Sequence, residues 1–159
     1  IRVPFLVRWP NVTPCGKINK STPLTAVDLL PTFVELAGGK LPKNYMSDGE
    51  SISSAIKGKF FKRKSIIYWQ WNFASENMDF WASLAIQDGD WKLLINGEGH
   101  RRELYNTKTD WKEQTNQASQ NPAIVKEMQA KLDKWVLTLP ITPLTNCFSV
   151  ERDKINFKK

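Results

Sequence analysis

The chain has 159 residues, of which 41% are hydrophobic and 25% charged, and a formal net charge of +7 at pH 7. This composition is typical of a folded protein and excludes a disordered one, and the length favours one domain or slightly more. One histidine and two cysteines are present, so the chain lacks most residues that zinc sites, Ser-His-Asp triads and Cys-His dyads require.

The first element is an apolar run from Val3 to Val7, which predicts a buried strand. No earlier element is available to pair with this strand. Its partner is therefore either a later strand or a segment that precedes Ile1. The second alternative is favoured, and it makes the chain a fragment of a longer protein.

Residues 28–38 predict a short helix. Asp28 is expected to cap the amides of the next turn, Pro31 lies in the first turn, and Gly38 provides the left-handed stop. Four apolar residues recur at helical spacing and are expected to form the buried face: Leu30, Phe33, Val34 and Ala37.

Residues 40–64 are interpreted as a linker that contains a short amphipathic piece at 51–56. Composition changes near Gly58, which predicts a domain boundary that divides the chain into 1–58 and 59–159. Five basic residues in this region are interpreted as a solvated surface: Lys57, Lys59, Lys62, Arg63 and Lys64.

Beyond the linker the pattern predicts four strands, at 65–71, 82–88, 91–96 and 103–105. The Asp88-Gly89-Asp90 step predicts a hairpin between the second and third strands. Local turn chemistry explains its two aspartates better than an acid/base pair does. The result is a four-stranded antiparallel meander.

The last element is a helix over 122–139, with Asn121 as its cap, Pro122 as its first residue and Pro140 as its stop. Its apolar positions repeat at spacings of three and four: Ile124, Val125, Met128, Leu132, Trp135, Val136 and Leu139. A sheet with one apolar face and one amphipathic helix predicts a mixed α+β sandwich of two layers.

Candidate binding residues lie near two turns. Trp71 and Asn72 follow the first strand, within a region crowded with aromatic side chains, most of which are expected in the core. His100 and Arg101 follow a glycine-rich turn, and cations at a turn suit an anionic ligand. The other Lys and Arg residues are scattered and no nucleic-acid-binding motif accompanies them, so a nucleic acid partner is not predicted.

The order of motifs resembles the later part of a type I, formylglycine-dependent sulfatase. The similarity runs from Ile1 to about Leu139 and rests on seven short motifs in the family's order. They are Arg2-Val3-Pro4 with the run to Pro10, Val27 to Thr32, Leu36-Ala37-Gly38, Leu41-Pro42 with Asp48 to Ser51, Asp88 to Leu93, Glu103 to Asn106, and Asp110 to Ala118.

This resemblance implies an α/β parent of the alkaline-phosphatase-like type, which ends in a small antiparallel sheet and a helix. It also implies a formylglycine nucleophile and a calcium ion, both upstream of Ile1. Neither Cys15 nor Cys147 lies in the family's Cys-x-Pro-x-Arg motif. No catalytic residue or metal ligand is therefore expected in this chain, and a disulfide between the two cysteines is left open.

The partners implied by the resemblance are the remainder of the sulfatase chain and a sulfated carbohydrate, without nucleic acid or a membrane span. The residues expected to contact the substrate are Trp71, Asn72, His100 and Arg101. A phosphoesterase of the same superfamily and a non-catalytic basic glycan-binding module are the alternatives. The compartment of the parent is left open among the periplasm, secretion and the lysosome.

Overall fold

The computed structural model describes residues 3–20, 22–71, 82–96 and 99–140. A 3-10 turn, Ala26–Asp28, leads into helix α1, Leu29–Leu36, and a short helix α2 spans Ser53–Ile56. Four strands follow, and the last described element is helix α3, Pro122–Val136. The strands are β1, Ile67–Gln70, β2, Leu84–Asp88, β3, Trp91–Ile95, and β4, Arg102–Asn106.

The four strands form one antiparallel sheet in the order β1-β2-β3-β4. The register pairs Tyr68 with Ile86, Ile86 with Leu93, and Leu93 with Leu104. The Asp-Gly step closes the β2–β3 hairpin, where Gly89 has a φ of 56° that suits glycine. The meander expected from the sequence is therefore confirmed.

Helix α3 packs on one face of the sheet. The core contains Ile86, Leu93, Ile95 and Leu104 from the strands together with Val125, Met128 and Leu132 from the helix. At the margin of this core, the rings of Tyr68 and Trp135 stack with centroids 5.0 Å apart. The expected two-layer arrangement is confirmed, since the helical spacing and the strand alternation both direct their apolar side chains to this interface.

Both ends of α3 differ in detail from the prediction. Asn121 stands at the start, but its side chain makes no capping bond to the helix and its amide donates to the carbonyl of Gln117 at 3.1 Å. The helix ends at Val136, three residues before the predicted end. The hydroxyl of Thr138 donates to the carbonyl of Trp135 at 2.6 Å and so satisfies one of the carbonyls that a helix end leaves unpaired.

Helix α1 buries a different face from the one its apolar spacing predicts. Pro31 and Thr32 are buried, whereas Leu30 and Phe33 are 48% and 59% exposed. The hydroxyl of Thr32 donates to the carbonyl of Asp28 at 2.6 Å and accepts the amide of Ile52 at 3.0 Å. Polar contacts to the α2 segment therefore determine which face turns inward, and the apolar face remains on the surface.

The apolar run at the start of the chain is also different from the prediction. Residues 3–9 form no regular strand, and the side chains of Val3 and Leu6 are almost fully exposed. None of the four described strands pairs with this run. A strand needs a neighbour to satisfy its backbone groups, and the described part of the chain offers none here.

A buried ion pair joins the α1 segment to the segment that leads into the sheet. The guanidinium of Arg63 forms two bonds to the carboxylate of Asp28, at 2.7 and 2.8 Å, and the side chains are 6% and 0% exposed. The same carboxylate accepts the amides of Thr25 at 2.8 Å and Glu50 at 3.0 Å. Asp28 therefore does not cap the turn that follows it, because its carboxylate is directed toward Thr25, Glu50 and Arg63.

Glu50 completes this cluster from the other side. Its carboxylate accepts the amides of Lys64 and Ser65 and the hydroxyl of Ser65, at 2.8 to 2.9 Å. Burial raises the pKa of Glu50, but these bonds outweigh burial and leave the pKa lower than usual. Asp28, Glu50 and Arg63 are called the junction below. They link residues on both sides of Gly58, near which a domain boundary remains a prediction.

Candidate substrate-contact site at one end of the sheet

At one end of the sheet, two of the predicted site residues, Trp71 and Arg101, lie in the same row across the strands. β1 and β3 finish here and β2 and β4 start here. The amide of Trp71 donates to the carbonyl of Ser83 at 2.7 Å, and the amide of Asn96 donates to the carbonyl of Arg101 at 3.3 Å. These bonds continue the strand register by one residue, so Trp71 and Arg101 lie in one row, three strand spacings or about 14 Å apart.

Strand alternation places Trp71 and Arg101 on the face of the sheet that is turned away from α3. Tyr68 stacks on the helix, so Trp69 and Trp71 belong to the opposite face. On β4, Arg102 donates to Gln129 of α3 at 3.1 Å, so its neighbour Arg101 belongs to the opposite face as well. Trp71 is 51% exposed, and the side chain of Arg101 is 50% exposed.

Arg101 is held by two acceptors in its surroundings. Its Nε donates to Glu103 at 2.5 Å, and its amide donates to the Oδ1 of buried Asn96 at 3.2 Å. The second oxygen of Glu103 accepts the hydroxyl of Tyr105 at 3.0 Å. Burial, followed by the bond to Glu103, raises the pKa of Tyr105 to about 12. Tyr105 therefore stays a hydrogen-bond donor at neutral pH and fixes the carboxylate that orients the guanidinium.

The other two predicted residues add less. His100 is exposed in the turn before β4, next to Gly99, whose φ is 71°. Asn72 lies outside the described residues. An aromatic ring can stack on the apolar face of a sugar, and a guanidinium binds sulfate oxygens. The row therefore combines an aromatic ring with a guanidinium, and its described residues, Trp71, Ser83, Asn96 and Arg101, include no carboxylate or imidazole that could act as a general base.

Two charged residues that the sequence did not single out are buried. The sequence pattern places Arg63 in a solvated basic cluster, but in the structure this residue anchors the junction. It is the one arginine in that lysine-rich cluster, and a planar guanidinium is the side chain best suited to a buried bidentate pair. Lys92, at 3% exposure, donates to both oxygens of Glu113 at 2.8 and 2.9 Å. Its position between Trp91 and Leu93 in a predicted strand is the sequence signal that could indicate its burial.

The aspartates of the β2–β3 hairpin make structural ion pairs. Asp88 accepts Lys131 of α3 at 2.7 Å, which fixes the hairpin to the helix. Asp90 lies 3.6 Å from the ammonium of exposed Lys108. Their separate partners agree with turn chemistry and do not form an acid/base pair.

The implied calcium ion and formylglycine do not fit the residues described here. No group of three or more His, Cys, Asp or Glu side chains within 3–20, 22–71, 82–96 and 99–140 is arranged to hold a metal ion. Cys15 is exposed in a loop and is followed by Gly16 and Lys17, and Cys147 lies outside the described residues. None of the helices in the described ranges is both long and apolar enough to cross a membrane.

The sequence comparisons with known proteins identify one family. The family model of N-sulphoglucosamine sulphohydrolase, C-terminal, matches residues 1–138. A sulfatase from Formosa agariphila is 28% identical over 150 residues, which cover 86% of this chain and 27% of that protein. Arylsulfatase K from Xenopus laevis is 31% identical over 137 residues, which cover 82% of this chain and 25% of that protein.

Solved structures agree with the sequence comparisons. The structure of Ps i-CgsB in complex with k-i-k-neocarrahexaose has a TM-score of 0.64 and 30% identity, over 80% of this chain and 27% of that one. A 2-O GAG sulfatase has a TM-score of 0.52 and 25% identity, over 76% of this chain and 27% of that one. The chain thus spans about a quarter of the length of these relatives, and the expected alkaline-phosphatase-like parent fold is confirmed.

Proposed function

The chain belongs to the N-sulphoglucosamine sulphohydrolase C-terminal family, and on that premise we propose that it forms the C-terminal part of a sulfatase that hydrolyses sulfate esters of a glycan. The family match over residues 1–138 is the observation that carries this proposal. The curated relatives include an ulvan-active sulfatase from Formosa agariphila and an N-acetylgalactosamine-6-O-sulfatase from Bacteroides thetaiotaomicron, and their names support a sulfated carbohydrate as substrate.

The rest of the sulfatase polypeptide is the proposed partner of this chain. Exposed apolar side chains along residues 3–9 and on α1, including Leu6, Leu30 and Phe33, support a large apolar contact. Residues 1–58 would complete the large domain, and residues 59–159 would form the C-terminal subdomain. The formylglycine and the calcium would be supplied by the partner, since the described residues offer no site for either.

In this arrangement the row from Trp71 to Arg101 contributes binding to the sulfated substrate, together with His100 and Asn72. The guanidinium of Arg101 would bind a sulfate group or another anionic group of the glycan, and the indole of Trp71 would contact a sugar ring. The two positions are about 14 Å apart, so a single ligand that contacts both must be an extended molecule. The row therefore supports recognition of an oligosaccharide over recognition of a small aryl ester.

The test compares sulfate release from a sulfated oligosaccharide and from an aryl sulfate by the complete polypeptide that contains this chain. Arg101→Gln is expected to lower kcat/KM for the oligosaccharide about tenfold, the loss typical of a hydrogen bond to a charged group. It is expected to leave aryl sulfate turnover nearly unchanged, because the small ester does not reach the row. His100→Gln is expected to change the same substrate ratio in the same direction.

Arg102→Gln is the matched control, since it removes the same charge one residue away on the opposite face of the sheet. It is expected to leave the ratio of the two substrates unchanged. Equal losses on both substrates for Arg101→Gln would contradict the substrate contact. Release of phosphate and not sulfate from paired aryl esters would contradict the sulfatase, and sulfate release by the 159-residue chain alone would contradict an external catalytic site.

A further inference from the structure

Trp111 and Lys112 form an exposed aromatic and cationic pair on the turn after β4. The indole of Trp111 is 60% exposed, and the ammonium of Lys112 lies over its ring, 5.5 Å from the centroid. Neither residue belongs to the core between the sheet and α3. The pair therefore offers a ligand both the apolar surface of an indole and a positive charge.

The turn that presents this pair is anchored on both sides. The amide of Asp110 donates to the carbonyl of Asn106 at 2.8 Å, and the carboxylate of Asp110 accepts the amides of Gln114 and Thr115, both at 2.8 Å. These amides, of Thr115 first and then Gln114, lower the pKa of Asp110, so the carboxylate stays ionised and bonded at neutral pH.

Glu113 fixes the turn from the next position. Its backbone adopts the left-handed region with a φ of 57°, which is uncommon for a residue other than glycine. Its carboxylate forms two bonds to the buried ammonium of Lys92, so the sheet holds this conformation in place. Trp111 and Lys112 are therefore held on a rigid turn. Binding of a ligand to this turn costs little backbone conformational entropy.

We propose that Trp111 and Lys112 form a second binding site for a sulfated saccharide, in which the indole stacks on a sugar ring and the ammonium pairs with a sulfate group. The ligand class rests on the proposed function. The site is distinct from the Trp71–Arg101 row, because residues 107–110 join the hairpin end of the sheet. There the amide of Thr107 donates to the carbonyl of Asp90 at 2.8 Å.

The two sites therefore lie at opposite ends of the sheet. The β3 strand between them runs from Trp91 to Ile95, which corresponds to about 17 Å with its flanking residue. A long sulfated chain would contact the protein at a position away from the substrate row, which raises the local concentration of further sulfate esters near the enzyme.

The test measures binding of a heparin hexasaccharide to the 159-residue chain by isothermal titration calorimetry at low salt, with Arg101→Gln present in every variant so that the substrate row contributes little to the measured Kd. Trp111→Ala is expected to raise Kd about tenfold, the change that loss of one buried aromatic face corresponds to. Trp111→Phe keeps an aromatic face and is expected to retain most of the affinity. The chemically desulfated hexasaccharide is expected to bind more weakly than the sulfated one, and Lys112→Gln is expected to remove most of that difference.

Lys108→Gln is the control for general electrostatic attraction, because exposed Lys108 carries the same charge three residues before Trp111 and its ammonium lies 3.6 Å from Asp90. It is expected to leave Kd within about twofold. Unchanged binding by Trp111→Ala, or equal losses for Lys108→Gln and Lys112→Gln, would overturn the site. Calorimetry detects binding without turnover. If the complete polypeptide released no sulfate, the proposed function would be contradicted, but the calorimetric test of the Trp111 site would be unaffected.

Discussion

The two halves of the described structure are organised by different forces. The sheet and α3 enclose an apolar core, in which Leu93, Leu104 and Leu132 are fully buried. The half from residue 3 to residue 65 holds its short helices through the buried junction and exposes the apolar side chains of Leu6, Leu30 and Phe33. The sheet half therefore buries its apolar side chains internally, whereas the half from residue 3 to residue 65, called the junction half, leaves apolar side chains on its surface.

Burial and apolar character therefore do not coincide throughout this chain. In the junction half, a carboxylate and a guanidinium take the inner positions because each satisfies the other's charge and hydrogen bonds. Their removal from water is costly, so the pair specifies the arrangement of three segments more than it adds net stability. In the sheet half, removal of apolar surface from water is the main stabilising contribution.

The largest loss of stability is expected when the junction is broken. Arg63→Met leaves the buried carboxylate of Asp28 without its counter-charge and is expected to lower the free energy of unfolding by about 4 kcal/mol. Hydrogen exchange of the intact chain should show loss of protection in α1 and around Glu50, with α3 remaining protected. Arg8→Met, at an exposed position, is the control. Equal loss of protection in α3 would contradict the separation of the two halves.

A smaller effect is expected from a cavity in the other half. Leu93→Ala is expected to lower the free energy of unfolding, measured by urea denaturation, by about 3 kcal/mol because it removes packing against both β4 and α3. Protection should be lost first in α3 and the sheet. Leu137→Ala changes a leucine that is 86% exposed and should leave stability within about 0.5 kcal/mol. A comparable loss from both variants would exclude the core described here.

The smallest effect is a pH dependence of the junction half. The folded pKa of Glu50 is below its usual value of 4.5, so its bonds stabilise the chain above that pH and are lost as pH falls through the folded pKa. We expect unfolding free energy to fall by about 1 kcal/mol on acidification, and Glu50→Gln to remove that part of the pH profile. Asp133→Asn, at an exposed position of α3, should leave the profile unchanged; an identical change in both variants would assign the effect elsewhere.

Most of the sheet half could be predicted from the sequence, because its signals are local. The strand-forming runs at 82–88 and 91–96 and the Asp-Gly step between them predict the hairpin, and the spacing of Val125, Met128 and Leu132 predicts the helix face that packs on it. The site was partly predictable for the same reason, since the turns that carry Trp71 and Arg101 follow from the strand boundaries. Their common row required the register of all four strands.

The junction could not be predicted in the same way. Asp28 and Arg63 are 35 residues apart, and each has a local interpretation, as a helix cap and as a surface cation, that is wrong here. The apolar spacing of α1 likewise predicts a buried face, but the bond from the amide of Ile52 to Thr32 holds a different face inward. Distant polar partners override local preference when burial would otherwise leave a charge unpaired.

Local patterns in the sequence are enough to predict the order of the four sheet strands and α3, the face of α3 that packs on the sheet, and the family. These follow from local periodicity, from turn chemistry and from the order of motifs. Only the three-dimensional fold establishes which charges are buried, which apolar face of α1 is exposed, and how Glu103 and Tyr105 orient Arg101. These depend on side chains brought together across the fold, because a buried charge is stable only where its partner arrives in the correct geometry.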